Sequence, residues 1–332
     1  MPSLHDVARI AGVSKSTVSR VINNEGSVNS GTRAKVLAAI QQTGFVLNQV
    51  AKDLKSQRTN LVGVIVPRIT SHAVAAGVEG LSAVVEAAGM HVLLANSRLV
   101  HNKESEFIEL FNQKRVAGII IFATHVNESL LAEIRQSRAP VVVVGQDFSR
   151  FGIPSVVHDD FGVGIAAAQH LYDAGCRQFG FIGVRADDIA VDQLRYAGFA
   201  TQTRQLIGSE PLFHSHGDFS VLSGRQQMAE QLRIHPECDG LFCATDDLAI
   251  GASQVLRENG IVAGHQVKLV SVGNDDKAAL VTPSLTSFAY AFEGAGREAA
   301  SLLLDLCHER KKAITKLMLG FSLMSRESCP AP

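Results

Sequence analysis

Two groups of side chains in this chain have types and spacings that could do chemistry. The first is four paired carboxylates, Asp159-Asp160, Asp187-Asp188, Asp246-Asp247 and Asp275-Asp276. In a hydrolase such a pair divides into acid and base; in a sugar receptor, acids at strand ends accept hydrogen bonds from hydroxyls. Asp159 or Asp160, and Asp246 or Asp247, also precede helical stretches, where N-capping accounts for them. The second group is Lys15, Ser16, Thr17, Ser19 and Arg20, with no acid among them. Donors of that length reach phosphates and base edges. Arg68, just after the apolar run LVGVIVP, adds a guanidinium suited to a phosphate or a densely hydroxylated sugar. A plain surface arginine is the other reading of that residue.

Several chemistries have no motif to carry them. There is no GxxxxGK[ST] loop, and GVGIAAA lacks the second half of a dinucleotide-binding glycine pattern. GxSxG, HExxH and EF-hand patterns are also absent. Cys176, Cys238, Cys243, Cys307 and Cys329 are scattered, with no CxxC pair and no nearby His at zinc-finger spacing. The expectation is therefore no enzyme, no metal and no cofactor beyond a small-molecule effector. Incidental thiols, a start (MPSLHDVARIAGVS) without an apolar h-region, and no apolar run of about 20 residues favour a cytoplasmic protein away from membranes.

A hydrophobic content of 46% against 19% charged residues excludes a disordered chain, and 332 residues suggest two or three domains. The net charge of −1 hides an asymmetry. Residues 1–58 hold eight Lys and Arg against three acids, +5, which leaves −6 on the remainder. A basic head on an acidic body points to a polyanion partner for the head alone.

The elements that must position these groups are legible in outline. In the head, Ser3-x-x-Asp6 forms a capping box for a helix with Leu4, Val7, Ala8 and Ala11 inward. Gly12 breaks the pattern, and Ser14 caps a second helix with Val18, Val21 and Ile22 inward and the donors outward. Small residues at Ala8, Ala11 and Gly12 let two helices cross around a tight turn, the helix-turn-helix geometry. A third helix runs from about Thr32 to near Gly44 with Val36, Leu37 and Ile40 inward. From Asn60 onward, short apolar runs (61–66, 91–96, 117–123, 140–145, then 178–183, 240–245 and 267–273) alternate with helical stretches. Continuous apolar strands separated by helices make a parallel sheet covered on both faces. Two such α/β units place a ligand crevice at the strand ends between them.

The segment LHDVARIAGVSKSTVSRVINN closely resembles the head of lactose/galactose-type repressors, whose pattern is roughly DVA-x-x-AGVS-x-x-TVSRV-x-N. That resemblance implies base reading by Lys15, Ser16 and Arg20, with Ser14, Thr17 and Ser19 nearer the backbone. It continues through GFVLNQVAKDLKSQRTNLVGVIVP, in the family a hinge helix that folds on the operator and inserts a leucine into the minor groove. It places Leu54 as the wedge, with Asn48, Lys52 and Lys55 at the DNA; Leu47 stands where the family commonly has proline. The remainder resembles the family's periplasmic-binding-protein-like core of two parallel-sheet subdomains. Residue by residue, the resemblance assigns Arg195 (R-x-x-G-[FW]), Phe219 (GDFS), Thr245 (CATDD), Asp275 (SVGNDD) and Phe292 to the effector pocket. Gln146 sits after PVVVV, where relatives often carry a charge. Core packing accounts nearly as well for Phe219 and Phe292.

The expected organisation is then a helix-turn-helix domain (1–46), a hinge (47–59) and an effector and dimerisation core (60–332), with subdomains at about 60–157 and 158–288 and a crossover segment 289–332. The expected function is a nucleoid-acting homodimeric repressor of a carbohydrate operon, bound to a palindromic operator and released by a sugar or sugar phosphate, sucrose or trehalose type. Arg68 tips the expectation slightly toward the phosphate. The alternatives are a purine-type co-repressor-dependent regulator and a DNA-independent sugar receptor.

Overall fold

The computed structural model describes residues 2–22, 26, 28–45, 59–308 and 315–330. The chain forms two compact units, Met1–Arg58 and Thr59–Pro332.

In the first unit the capping box forms as the spacing requires. The Asp6 amide donates to Ser3 Oγ (3.4 Å) and the Ser3 amide to Asp6 Oδ2 (2.9 Å), opening α1 (Leu4–Ala11). Gly12 ends it with φ +66°, a left-handed conformation that a side chain resists. The Thr17 amide donates to Ser14 Oγ (3.2 Å) at the start of α2 (Lys15–Ile22). The third helix, α3 (Ser30–Thr43), begins two residues before Thr32, because Asn29 caps it through the Gly31 amide (2.8 Å). Val7, Ala8, Ala11, Val18, Val21, Val36 and Ala39 form the core. Leu37 corrects the sequence reading: it is 53% exposed. Val36, Ala39 and Ile40 share the inner face at i, i+3 and i+4, and Leu37 lies about 100° round the helix from Val36.

The second unit holds two six-stranded sheets. The first has the order β11 (Lys316–Leu319), β5 (Ser155–His158), β4 (Val141–Val144), β3 (Gly118–Phe122), β1 (Leu61–Val66), β2 (His91–Asn96), and all its strands are parallel. The second runs β12 (Phe321–Met324), β10 (Thr286–Tyr290), β9 (Lys268–Val272), β8 (Gly240–Cys243), β6 (Phe179–Ile182), β7 (Phe213–Ser215); only β12 is antiparallel.

Strand β1 shows why these runs are continuously apolar. Val62, Val64 and Val66 pack with Val74, Leu81 and Val85 of the helix His72–Ala87 and with Ala299 and Leu303 of the helix Phe292–Cys307. Ile65 points the other way, into a core with Ile108, Phe111, Leu130 and Ile134. Side chains alternate between two covered faces, so both sets must be apolar. Each fully buried Val or Ile contributes about 1.5–3 kcal/mol relative to exposure.

The chain passes between the sheets three times, at 158–160, 290–292 and 319–321. Beyond the last strand of the first pass, residues 292–319 supply a helix and an edge strand to the first sheet, and 321–324 an edge strand to the second. The carboxyl ends of both sheets open onto one cleft. No described helix is long and apolar enough to cross a membrane.

Candidate functional site

The cleft encloses about 1180 Å³, open solvent included. Its walls are built where strands stop: Arg68 follows β1, Gln146 follows β4, and His158 ends β5. From the other sheet, Asp188 and Arg195 follow β6, Phe219 follows β7, Thr245 follows β8, Asp275 follows β9, and Phe292 follows β10. All seven residues expected at an effector pocket therefore line one cavity, although they come from seven different connections.

Arg195 is a buried residue of the cleft wall. It opens the helix Arg195–Ile207 and donates through Nε to Asp160 Oδ1 (2.8 Å) and through Nη1 to the carbonyl of Ala244. The Tyr290 hydroxyl donates to the same Asp160 oxygen (3.0 Å), and the guanidinium carbon lies 5.2 Å from the Tyr290 ring centre. Burial works against the Arg195 charge, but the Asp160 carboxylate outweighs it and holds the guanidinium pKa above its usual value. Arg195 is thus part of a buried ion pair as well as a wall of the cleft.

Two side-chain hydrogen bonds span the cleft from one sheet to the other. Gln146 Nε2 donates to Asp188 Oδ1 (2.8 Å), and Arg68 Nη1 donates to the Phe219 carbonyl (3.4 Å) with its guanidinium carbon 5.7 Å from the Phe219 ring centre. Asp188 also caps the π-helical turn Ile189–Leu194 through the Val191 amide (2.9 Å). Burial pushes the Asp188 carboxyl up to about 7, against the pull of its Val191 and Gln146 hydrogen bonds and of Arg195.

The capping roles differ from those the sequence suggests. Asp159 caps the helix Asp160–Asp173, as one of its pair is expected to. The cap expected from Asp246 or Asp247 is instead Thr245, whose Oγ1 accepts from the Leu248 amide (3.4 Å). A β-region residue one position earlier has the geometry to cap. Asp246 is freed for the interior, where it accepts from Ser271 Oγ and Ser287 Oγ (2.6 Å each) and the Asp275 amide (2.7 Å). Asp275 is itself the cap of the short helix Asp276–Leu280 and pairs with Lys277 (3.2 Å). Burial opposes its charge, yet the Lys277 amide and ammonium hold it below the ordinary carboxylate value.

Two buried polar atoms on the cleft wall have no hydrogen-bond partner: Gln146 Oε1 and His158 Nδ1. His158 stacks on Tyr290 (4.3 Å between ring centres, 6° apart) and meets Phe292 edge-on at 5.3 Å. Burial, aided by Arg195, pushes it down to about 4, so the ring is neutral. No motif in the sequence singles out His158, a lone histidine at the end of a four-residue strand.

On the head, Ser14, Lys15, Ser16 and Arg20 are exposed and Thr17 and Ser19 half-buried. Lys15 and Ser19, like Ser16 and Arg20, stand four residues apart, so the set forms one face of α2 opposite Val18 and Val21. Asn48, Lys52, Leu54 and Lys55 lie outside the described residues.

Comparison with known proteins agrees with this architecture at both ends. Residues 3–48 match the family described as bacterial regulatory proteins, lacI family, and residues 168–329 match the periplasmic binding protein-like domain. The chain is 30% identical to the HTH-type transcriptional regulator RegA of Clostridium saccharobutylicum, over 98% of each chain. It is 32% identical to the sucrose operon repressor of Staphylococcus xylosus, over 91% of this chain and 93% of that one. Among solved structures, the lac repressor dimer bound to operator and the anti-inducer ONPF superposes with a TM-score of 0.90, 26% identity and 99% coverage of both chains. A helix-turn-helix joined to a periplasmic-binding-protein-like core is the architecture of ligand-responsive transcription regulators. This chain belongs to the lacI family of bacterial regulatory proteins.

Proposed function

We propose that the chain is a sequence-specific DNA-binding repressor of a carbohydrate-utilisation operon, released from its operator by a neutral sugar held in the cleft. It acts as a cytoplasmic homodimer on nucleoid DNA, one helix-turn-helix to each half of a palindromic site, and has no catalytic role. The head (1–46) reads bases with Lys15, Ser16 and Arg20, supported by Ser14, Thr17 and Ser19. The hinge (47–59) contributes Asn48, Lys52, Leu54 and Lys55. The core (60–332) grips the sugar with Arg68, Gln146, Arg195, Phe219, Thr245, Asp275 and Phe292.

The observation that carries the sugar is the cleft's chemistry: partnerless buried Gln146 Oε1 and His158 Nδ1 beside the aromatic faces of Phe219 and Phe292. Hydroxyls satisfy the polar atoms, and a sugar's C–H surface covers the rings. The charges argue against the phosphorylated ligand that Arg68 alone suggests. Even with Asp188 pushed up to about 7, Asp160, Asp246, Asp247 and Asp275 line the cleft against three cations: Arg195, matched by Asp160, Lys277, shared by Asp247 and Asp275, and Arg68. A phosphate dianion would enter a region with carboxylates in excess.

The DNA-binding half is tested by selecting random duplexes with the full chain. Recovery of a two-fold palindrome supports the reading. Recovery of no common sequence, with binding that depends only on salt, contradicts it.

A further inference from the structure

Away from the cleft's own polar groups, Asp192, His214 and His216 bring three ligand atoms together on the second sheet. Asp192 sits in the π-helical turn Ile189–Leu194, and the histidines flank Ser215 at the end of the edge strand β7. His214 Nε2 lies 2.9 Å and His216 Nδ1 3.4 Å from the same oxygen, Asp192 Oδ2. The other oxygen, Oδ1, accepts the Val184 amide (3.0 Å), which fixes the carboxylate's orientation. Gly183 makes the seat possible: a Cβ there would stand 2.0 Å from Asp192 Oδ1.

We propose that Asp192 Oδ2, His214 Nε2 and His216 Nδ1 form a binding site for a divalent transition-metal ion of the zinc type, completed by water. Two imidazoles and one carboxylate are the donor set such ions take with an open fourth position. Ligand bonds of about 2.0–2.1 Å in a tetrahedron put neighbouring donors about 3.3 Å apart. The observed 2.9 and 3.4 Å bracket that spacing, and all three ligand atoms lie within 4.8 Å of one another, so the exposed His216 closes on an ion by at most about 1.5 Å. The Asp192 carboxylate is 1% exposed and faces the two imidazoles, and a buried negative charge favours a cation. His216 is 43% exposed and leaves a path for the ion and its water. His214 is held by Tyr196, stacked at 3.8 Å between ring centres, so one ligand is rigid and the other can close. No spaced motif announces the site, since Asp192 stands 22 residues before His214.

A bound ion would tie the edge of β7 to the turn that carries Ala190 and Val191 into the cleft wall. The site rests on its own geometry and not on the proposed function.

The test is calorimetric titration of ZnCl2 into the untagged, chelator-treated full chain, with Co2+ absorption as a second readout. The expected result is one ion per chain at micromolar or lower concentration, and the visible bands of tetrahedral Co2+. Exposed His216→Ala, which leaves the fold intact, should weaken binding at least tenfold and abolish those bands; Asp192→Asn should do the same. No binding by the wild type below millimolar Zn2+, or a loss of less than tenfold in His216→Ala, overturns the site.

Discussion

Gln146 and Asp188 join the two sheets of the core across the cleft, each almost wholly buried and 2.8 Å apart. The bond spans the cleft, and a ligand that enters between the walls competes with it or builds on it. Its acceptor keeps a proton unusually far up the pH scale, since burial pushes Asp188 up to about 7 from an ordinary 3.8.

That value has a definite sign for stability. The folded form holds this proton more tightly than the unfolded chain, so the contribution is full below the ordinary carboxylate value and is lost as pH rises through about 7. Asp188→Asn retains an oxygen for both Val191 and Gln146 and carries no charge. In urea unfolding it should match the wild type at pH 4 and exceed it by about 2–4 kcal/mol at pH 8. Equal pH profiles for the two proteins would contradict the assignment.

Arg195 is expected to be costly to remove. Arg195→Ala leaves Asp160 buried without its cation, and breaking such a pair typically destabilises by about 3–5 kcal/mol. Thermal unfolding of the variant should drop accordingly. A midpoint unchanged from the wild type would show that the pair contributes nothing net. Loss of response in this variant therefore does not report on ligand contact alone, and Phe219, half-buried on the wall, is the cleaner probe.

The head makes a separate prediction. Arg20→Ala should cost about 1–3 kcal/mol on the selected operator if it reads a guanine, with far less lost on random DNA. Anisotropy with both duplexes decides this, and equal losses would reduce Arg20 to a phosphate contact.

Much of this was visible in the chain. The runs at 61–66 and 91–96 are strands to the residue; the first is covered on both faces, so its alternation disappears, while the second is the sheet's partly exposed edge. Five strands are not legible in the sequence: Ser155–His158, Phe213–Ser215, Lys316–Leu319 and Phe321–Met324 are three or four residues long and the last two half exposed, while Thr286–Tyr290 (TSFAY) is buried but not a continuous apolar run. At the site, the paired carboxylates stood out, but their division of labour depends on tertiary partners. Asp246 is buried by Ser271 and Ser287, 25 and 41 residues away, and Asp160 by Arg195 and Tyr290. No local pattern encodes such partners.

The hinge prediction rests on sequence resemblance. Leu54→Ala should weaken operator binding and reduce DNA bending while leaving sugar affinity unchanged. Gel mobility of circularly permuted operators measures the bend, and an unchanged bend removes the wedge.

The central claim, a neutral sugar in the cleft that releases DNA, is tested most directly by operator anisotropy under titration with sucrose, trehalose, cellobiose and their phosphates. One of the neutral sugars should release the wild type at a lower concentration than its phosphate, and Phe219→Ala should need at least tenfold more of it. Tighter operator binding in the presence of ligand, release by a phosphate at lower concentration than by any neutral sugar, or an unaltered midpoint in Phe219→Ala would contradict the account.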